Sequence, residues 1–374
     1  MKIAIDGYEA NVPERLGSSQ VALGLIRHLE KIDHKNEYII FLPDTPLSDL
    51  PHERLGWEYR VLKPKRLWTK IALPLALYTT RQRPDLIYSP THYIPRFSPV
   101  KRIVTIFDLS FIHFPDMFTS KDLWQLKNWT KFSVDNADHI ITISNSTKED
   151  IISEYGVSKD QITVAYPGYD NEIFHPVDDK KKIKEIVNKY KIKGSFILYI
   201  GTIQPRKNLI RLFEAVARID NLGLVVVGKS KGEGREGWKY QDILDAPAKL
   251  GIDNRVIFAG FVPSEELSYL LSRSLAFILP SLWEGFGFPV LEAMATGTPV
   301  IVSNVSSLPE VVEDGGLLVD PYSVDQIEQA IRAMVSDQKL RQKYSKLALE
   351  QAKKFSFQKM AKIVLKVFEK VCFY

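Results

Sequence analysis

The sequence predicts an α/β protein of two doubly wound, Rossmann-like domains, and three observations carry that expectation. Short runs rich in Val, Ile and Leu alternate with amphipathic stretches from end to end, the pattern of parallel strands joined by crossover helices. A length of 374 residues suits two domains, each large enough for its own core. Charged, Gly- and Pro-containing turns follow two of the apolar runs, at strand-to-helix junctions where open α/β sheets bind ligands.

Taken in order, residues 2–5, 38–42, 86–88, 103–107 and 139–143 read as strands of a first domain. Residues 196–200, 222–227, 256–258, 276–279, 300–302 and 317–319 read as strands of a second. The change-over falls near residues 166–177, and a charged helix follows over 178–193. The expected division is 1–175 for the first domain and 176–355 for the second. The tail 356–374 holds an amphipathic helix, read over 357–371.

The segment after residue 280 is the most informative. Pro280 ends an apolar run, a Gly-rich turn containing Glu284, Gly285, Phe286 and Gly287 follows, and Pro289 stands where a helix begins. Backbone N–H groups of such a turn, with the helix dipole behind them, suit an anion such as a phosphate. Two acids beside a phosphate would repel it, so Glu284 and Glu292 make sense as acceptors from hydroxyls at opposite ends of one elongated ligand. A nucleotide sugar has that shape. Taken singly, Glu284 fits an exposed loop acid equally well, and Glu292 a solvated helix residue. A second turn, Gly201 to Asn208, places Arg206 and Lys207 after the run 196–200. A guanidinium fork and an ammonium point charge there are suited to neutralising a diphosphate.

These two motifs, in this order, resemble the retaining glycosyltransferases of family 4, the group 1 glycosyltransferases, through Gly-Thr-x-x-Pro-Arg-Lys-Asn and Glu-x7-Glu. Asp6-Gly7, the run 141–148, Tyr166-Pro-Gly168, Gly260-Phe-Val-Pro263 and the run 303–310 extend the likeness over nearly the whole chain, nearest to bacterial mannosyltransferase-like members that build surface polysaccharides. The resemblance implies a GT-B architecture: two Rossmann-like domains facing a cleft, with the C-terminal helix crossing back to the N-terminal, acceptor-side domain. It implies transfer of a hexose, mannose as first choice, from a nucleoside-diphosphate sugar to a glycan or lipid-linked acceptor. Arg206 and Lys207 would hold the pyrophosphate, Glu284 the transferred sugar and Glu292 the ribose. Gly285, Phe286 and Gly287 would offer backbone N–H groups. Gly17 would begin a loop approaching the donor phosphate, although Ser18 stands where relatives carry a second glycine. Residues 260–262 would meet the base.

No Asp-x-Asp and no His-Glu-x-x-His occurs, so no metal site is expected and no cofactor beyond the nucleotide-sugar substrate. Many relatives have His where this chain has Phe107, before Asp108. Phe cannot take a proton, which leaves Asp108 as the acceptor-positioning candidate, against a role in N-capping the next helix. His113 lies nearby without occupying the motif position. The alternative to a transferase is a sugar-nucleotide-binding protein without transfer activity, motivated by Phe107. An NAD-dependent oxidoreductase would rest on Gly232, Gly234 and Gly237, which match the dinucleotide fingerprint but in a charge-alternating loop rather than a tight strand-to-helix turn.

Composition bounds the rest. Hydrophobic and charged contents of 45% and 25% are ordinary for a soluble enzyme. One cysteine, Cys372, fits a reducing cytoplasm. The N-terminus lacks the pattern of a signal peptide. The net charge of +5 is uneven. Between Arg54 and Arg83 eight cations face Glu58 alone, interleaved with Leu67, Trp68, Ile71, Leu73, Leu75 and Tyr78. The segment 54–83 reads either as a peripheral contact with anionic membrane, at which Trp68 would insert, or as a helix with a solvated basic edge. No nucleic-acid motif accompanies the charge.

Overall fold

The computed structural model describes residues 1–15, 17–228 and 240–373; the glycines at 232, 234 and 237 lie outside them. The chain divides into two compact units. One comprises Met1–Ile112, Ser120–Gly168 and Phe355–Tyr374, the other His113–Thr119 and Tyr169–Lys354.

The first unit is built on seven strands: β1 (Lys2–Asp6), β2 (Glu37–Leu42), β3 (Trp57–Val61), β4 (Leu86–Ser89), β5 (Lys101–Ile106), β6 (His139–Thr142) and β7 (Ile162–Val164). They lie in the order β3-β2-β1-β4-β5-β6-β7 and every ladder is parallel. Strands buried on both faces carry no alternation, which is why β1, β2 and β4 read as unbroken apolar runs. The two edge strands escaped the sequence reading. β3 carries Glu58 and Arg60 within five residues, and β7 is only three residues long, so neither shows an apolar run.

The C-terminal helix, Phe357–Phe373, belongs to this unit and buries Met360, Ala361, Val364, Val367 and Phe368. Each large apolar side chain among these contributes about 1.5–3 kcal/mol by leaving water. The Phe357 ring lies so close over Gly24 that a β-carbon there would meet it at 2.6 Å, and Phe368 meets Tyr88 edge-on at 5.3 Å. The backbone of Ser356 and Phe357 likewise occupies the place of any side chain at residue 168, which fixes Gly168 where the chain leaves the unit.

The second unit has six strands: β8 (Phe196–Ile200), β9 (Gly223–Val227), β10 (Val256–Gly260), β11 (Phe277–Leu279), β12 (Val300–Ser303) and β13 (Gly316–Val319). Their order is β10-β9-β8-β11-β12-β13, again all parallel. In both sheets the chain runs outward from the first strand, returns, and runs out the other way. The reversal falls between β1 and β4 in one unit and between β8 and β11 in the other. Such switch points open a crevice at the carboxyl ends of the two central strands.

The basic segment corrects one expectation. Trp68 is buried, its Nε1 donating to Asp6 Oδ1 at 2.9 Å and its ring edge-on to Tyr8 at 5.3 Å. It joins Ala72, Leu73, Ala76 and Leu77 in the core beside Ala4, Ile39, Phe41 and Ile87. The wide turn Trp68–Ala72 and the helix Leu73–Thr79 therefore face the sheet with one side. The other side leaves Leu67, Ile71, Leu75 and Tyr78 between 43% and 55% exposed.

Candidate functional site

The two charged turns meet at the switch point of the second sheet. The turn after β8 runs through Gly201 to the short helical turn Pro205–Lys207, and the apolar-faced helix Leu209–Ala217 follows. The turn after β11 leads to the helix Phe288–Ala295, with Gly287 as its cap at φ 100° and Pro289 in its first turn. Glycine is required there twice over, because a β-carbon would also meet Leu308 at 2.7 Å.

Asn208 ties the turns together. It sits in the left-handed region at φ 60°, and its amide donates to the carbonyls of Pro280 at 2.9 Å and Pro321 at 2.6 Å. Leu282 N donates to Arg206 O at 2.8 Å. The end of β12 and the loop after it support the acidic turn from the other side. Ser303 Oγ donates to Ser281 O, Ser307 Oγ donates to Glu284 O, and Glu284 N donates to Ser306 Oγ. Sequence reasoning gave none of these four residues a role. Their signal was faint: an Asn opening a helix, and a Ser-rich loop after a strand.

Glu284 is therefore no exposed loop acid; it is 7% exposed. Lys207 Nζ stands 2.5 Å from its Oε1 and Arg206 3.5 Å from its Oε2. Arg206 also donates to the Trp283 carbonyl. Burial acts to raise the Glu284 carboxyl, but the charges of Lys207 and Arg206 outweigh it and hold the group below its ordinary range. Burial, and after it the same carboxylate, pushes the Tyr199 hydroxyl far up. Sequence reading assigned the cations to one part of a ligand and Glu284 to another. The structure brings the three into one ion-paired cluster.

Glu292 lies in the helix Phe288–Ala295 and is partly buried. Its carboxyl is pushed up to about 8, by burial first and then by the neighbouring Asp170. A group neutral near pH 7 both donates and accepts, so it can pair with a hydroxyl in either sense. The Phe286 ring is buried, 5.2 Å from Phe288, which leaves only its backbone to meet a ligand. Gly260, expected near a base, has φ 69° and its carbonyl accepts from Gly228 N at 2.8 Å. Beside it Phe261 is exposed.

Two expected site residues belong to the first unit. Gly17 caps the helix Ser18–Ile32 at φ 53°, with open space where a side chain would stand. Asp108 follows β5 and accepts from Ser110 N at 2.8 Å, the helix-capping role weighed for it from sequence. Phe107 is buried and its carbonyl accepts from Thr147 Oγ1 at 3.0 Å. His113, counted with the second unit, stacks on Trp283 with centroids 3.8 Å apart. Among the described residues no group of His, Cys, Asp and Glu is placed to hold a metal ion, and no helix is long and apolar enough to cross a membrane.

Comparison with known proteins adds independent findings. A family model described as glycosyl transferases group 1 matches residues 179–351, and one described as glycosyltransferase family 4 matches residues 17–173. An O-antigen chain mannosyltransferase B of Escherichia coli is 32% identical over 309 residues, 80% of this chain and 76% of the relative. A serotype-specific mannosyltransferase WbdA, also of Escherichia coli, is 28% identical over 63% of this chain, which spans only 29% of that longer protein. Among solved structures, Anabaena HepE in complex with UDP-glucose superposes with a TM-score of 0.75 at 19% identity, covering 99% of this chain and all of the other. The architecture is GT-B.

Proposed function

Because the chain belongs to the group 1 glycosyl transferases of family 4, we propose that it is a retaining hexosyltransferase. It moves a hexose, mannose before others, from a nucleoside-diphosphate sugar to a glycan or lipid-linked acceptor, without a metal ion. The observation that carries the reading is the buried Lys207–Glu284–Arg206 cluster at the switch point of the second sheet. The mannosyl choice draws on the activities of the two relatives above, and the nucleotide-sugar donor on the ligand that HepE holds.

Arg206 and Lys207 neutralise the diphosphate and the charge that develops as it leaves, which is electrostatic rather than covalent catalysis. Lys207 then shares itself between Glu284 and a phosphate oxygen, and Glu284 turns lone pairs toward sugar hydroxyls. The acceptor hydroxyl bonds to the anomeric carbon on the face from which the phosphate departs. Its proton passes to the departing phosphate oxygen, so no enzymic base is consumed and Phe107 is tolerated. Glu292 holds the ribose, and Gly285, Phe286 and Gly287 present backbone N–H groups.

Replacing Arg206 or Lys207 by Ala should weaken GDP about tenfold to a hundredfold while sparing guanosine, since only GDP carries the charge they meet. Equal losses for both ligands would refute the assignment. Glu284→Gln should abolish transfer from GDP-mannose with GDP still bound. Tight donor binding with no transfer by the wild type would leave a sugar-nucleotide-binding protein instead.

The enzyme works, on this reading, in the cytoplasm at the inner face of the cell membrane. The support is the exposed stripe Leu67, Ile71, Leu75 and Tyr78 with cations beside it. Four of the eight cations of this segment are already paired: Arg54 with Glu30, Arg60 with Glu58, and Lys63 and Lys65 with Asp44. Arg66, Lys70, Arg81 and Arg83 have no carboxylate partner among the described residues, and so remain for anionic lipid.

A further inference from the structure

The first sheet has its own switch point, between β1 and β4, and the loop leaving β4 carries His92 three residues past the strand end. The neighbouring loop, from β5, carries Phe107 and Asp108. The His92 ring lies 5.7 Å from the Phe107 ring and 6.1 Å from Tyr93, and its Nε2 is 3.5 Å from the Asp108 carbonyl oxygen. Phe107 brings no polar side-chain atom to this strand end. His92 does.

A carbonyl oxygen only accepts, so the contact assigns the proton to Nε2 and leaves Nδ1 with its lone pair. Nδ1 makes no hydrogen bond among the described residues. Burial depresses the imidazole below its ordinary range, and the nearby Asp108 carboxylate opposes this only in part. The ring is therefore neutral at physiological pH and able to accept one hydrogen bond from a ligand. Ligands of open α/β sheets sit in the crevice that the β1–β4 reversal opens. The group reaching Nδ1 must be a donor that is not a cation seeking a carboxylate, and a hydroxyl fits.

We propose that His92 binds and orients the attacking hydroxyl of the saccharide acceptor, through a hydrogen bond to Nδ1 beside Asp108. The proposal rests on the glycosyltransferase reading and adds the acceptor-side residue to it. The ring holds the hydroxyl rather than taking its proton, since the proton leaves with the phosphate.

The probe is octyl α-D-mannopyranoside, with GDP-mannose as donor. His92→Phe keeps an aromatic ring against Phe107 and removes the acceptor nitrogen. It should raise KM for the mannoside about tenfold, the loss of one hydrogen bond, while the affinity for GDP stays as in the wild type. His92→Gln, which restores an acceptor, should recover part of that loss. An unchanged KM, or a parallel loss of GDP affinity, would overturn the proposal. Imidazole NMR decides the matter without turnover, with the His92 resonances identified by their disappearance in His92→Phe. Saturable movement of those resonances on adding the mannoside is expected, and none across its solubility range refutes the assignment. A protein that binds no nucleoside diphosphate would instead refute the parent reading.

Discussion

Glu292 and Glu284 are carboxyls eight positions apart in one motif, with opposite titration behaviour. Lys207 and Arg206 hold Glu284 ionised despite its burial, while Glu292 meets burial and Asp170 and is pushed up to about 8. The sign for stability follows. Between its ordinary unfolded pKa and about 8, the folded protein holds a proton on Glu292 that the unfolded chain has lost, so that contribution is present in acid and disappears as pH rises through about 8. Glu292→Gln should therefore raise the melting temperature above pH 8 and change it little below pH 5, in a thermal-unfolding series across pH. A benefit confined to acid pH would contradict the assignment. The Glu284 cluster predicts coupling. Lys207→Met leaves a buried carboxylate with Arg206 alone and should cost about 3–5 kcal/mol, whereas Lys207→Met combined with Glu284→Gln should cost far less. Additive losses in a denaturant-unfolding cycle would show that the pair does not act as a unit.

At the scale of elements, two turns of opposite charge become one site because Asn208 crosses from one to the other. Asn208→Ala strands two buried carbonyls, Pro280 O and Pro321 O, at about 1–3 kcal/mol each. Asn208→Asp should be worse, since it points an acceptor at acceptors; chemical denaturation of the three proteins ranks them. The amphipathic element of the first unit makes a separate prediction. The proposed membrane attraction would be Coulombic and screened over ~8 Å at physiological ionic strength. Replacing Arg66, Lys70, Arg81 and Arg83 by Gln should therefore abolish sedimentation with anionic vesicles at low salt. Replacing Lys63 and Lys65, which already pair with Asp44, should do less. Trp68 fluorescence should not move, whereas Leu75→Trp should shift blue with anionic vesicles. Absence of binding by the wild type even at low salt would end the membrane reading and leave the transferase reading untouched.

At the scale of the whole chain, the path leaves the first unit after Gly168 and re-enters it at Phe355. The two passages touch within that unit, where the backbone of Ser356 and Phe357 fills the space beside Gly168. A side chain at 168 must push the C-terminal helix from its seat. Gly168→Val should lower the unfolding midpoint of the first unit while GDP affinity, which the proposed function assigns to the second, is kept. Hydrogen exchange resolved along the sequence checks this, and protection unchanged over residues 357–373 would count against it.

Sequence by itself determined the class of fold, because parallel strands buried on both faces need continuous apolar runs that no side-chain contact can disguise. It also pointed to the candidate site, since Arg206, Lys207, Glu284 and Glu292 follow strand ends that β–α alternation makes visible. Other features depended on packing between residues distant in the chain. Edge strands β3 and β7 carry no apolar run, Trp68 was drawn inward by Asp6 62 positions away, and Asp44 cancels part of a basic segment it does not adjoin. The pairing of Lys207 with Glu284 spans 77 positions, and the charge state of Glu292 depends on its burial and then on Asp170, distant from it in the chain. The meeting of His92 with Phe107 depends on which strands lie side by side. Local pattern encodes what each strand buries, but only the closed fold sets which loop ends become neighbours, and the chemistry of the site arises among those neighbours.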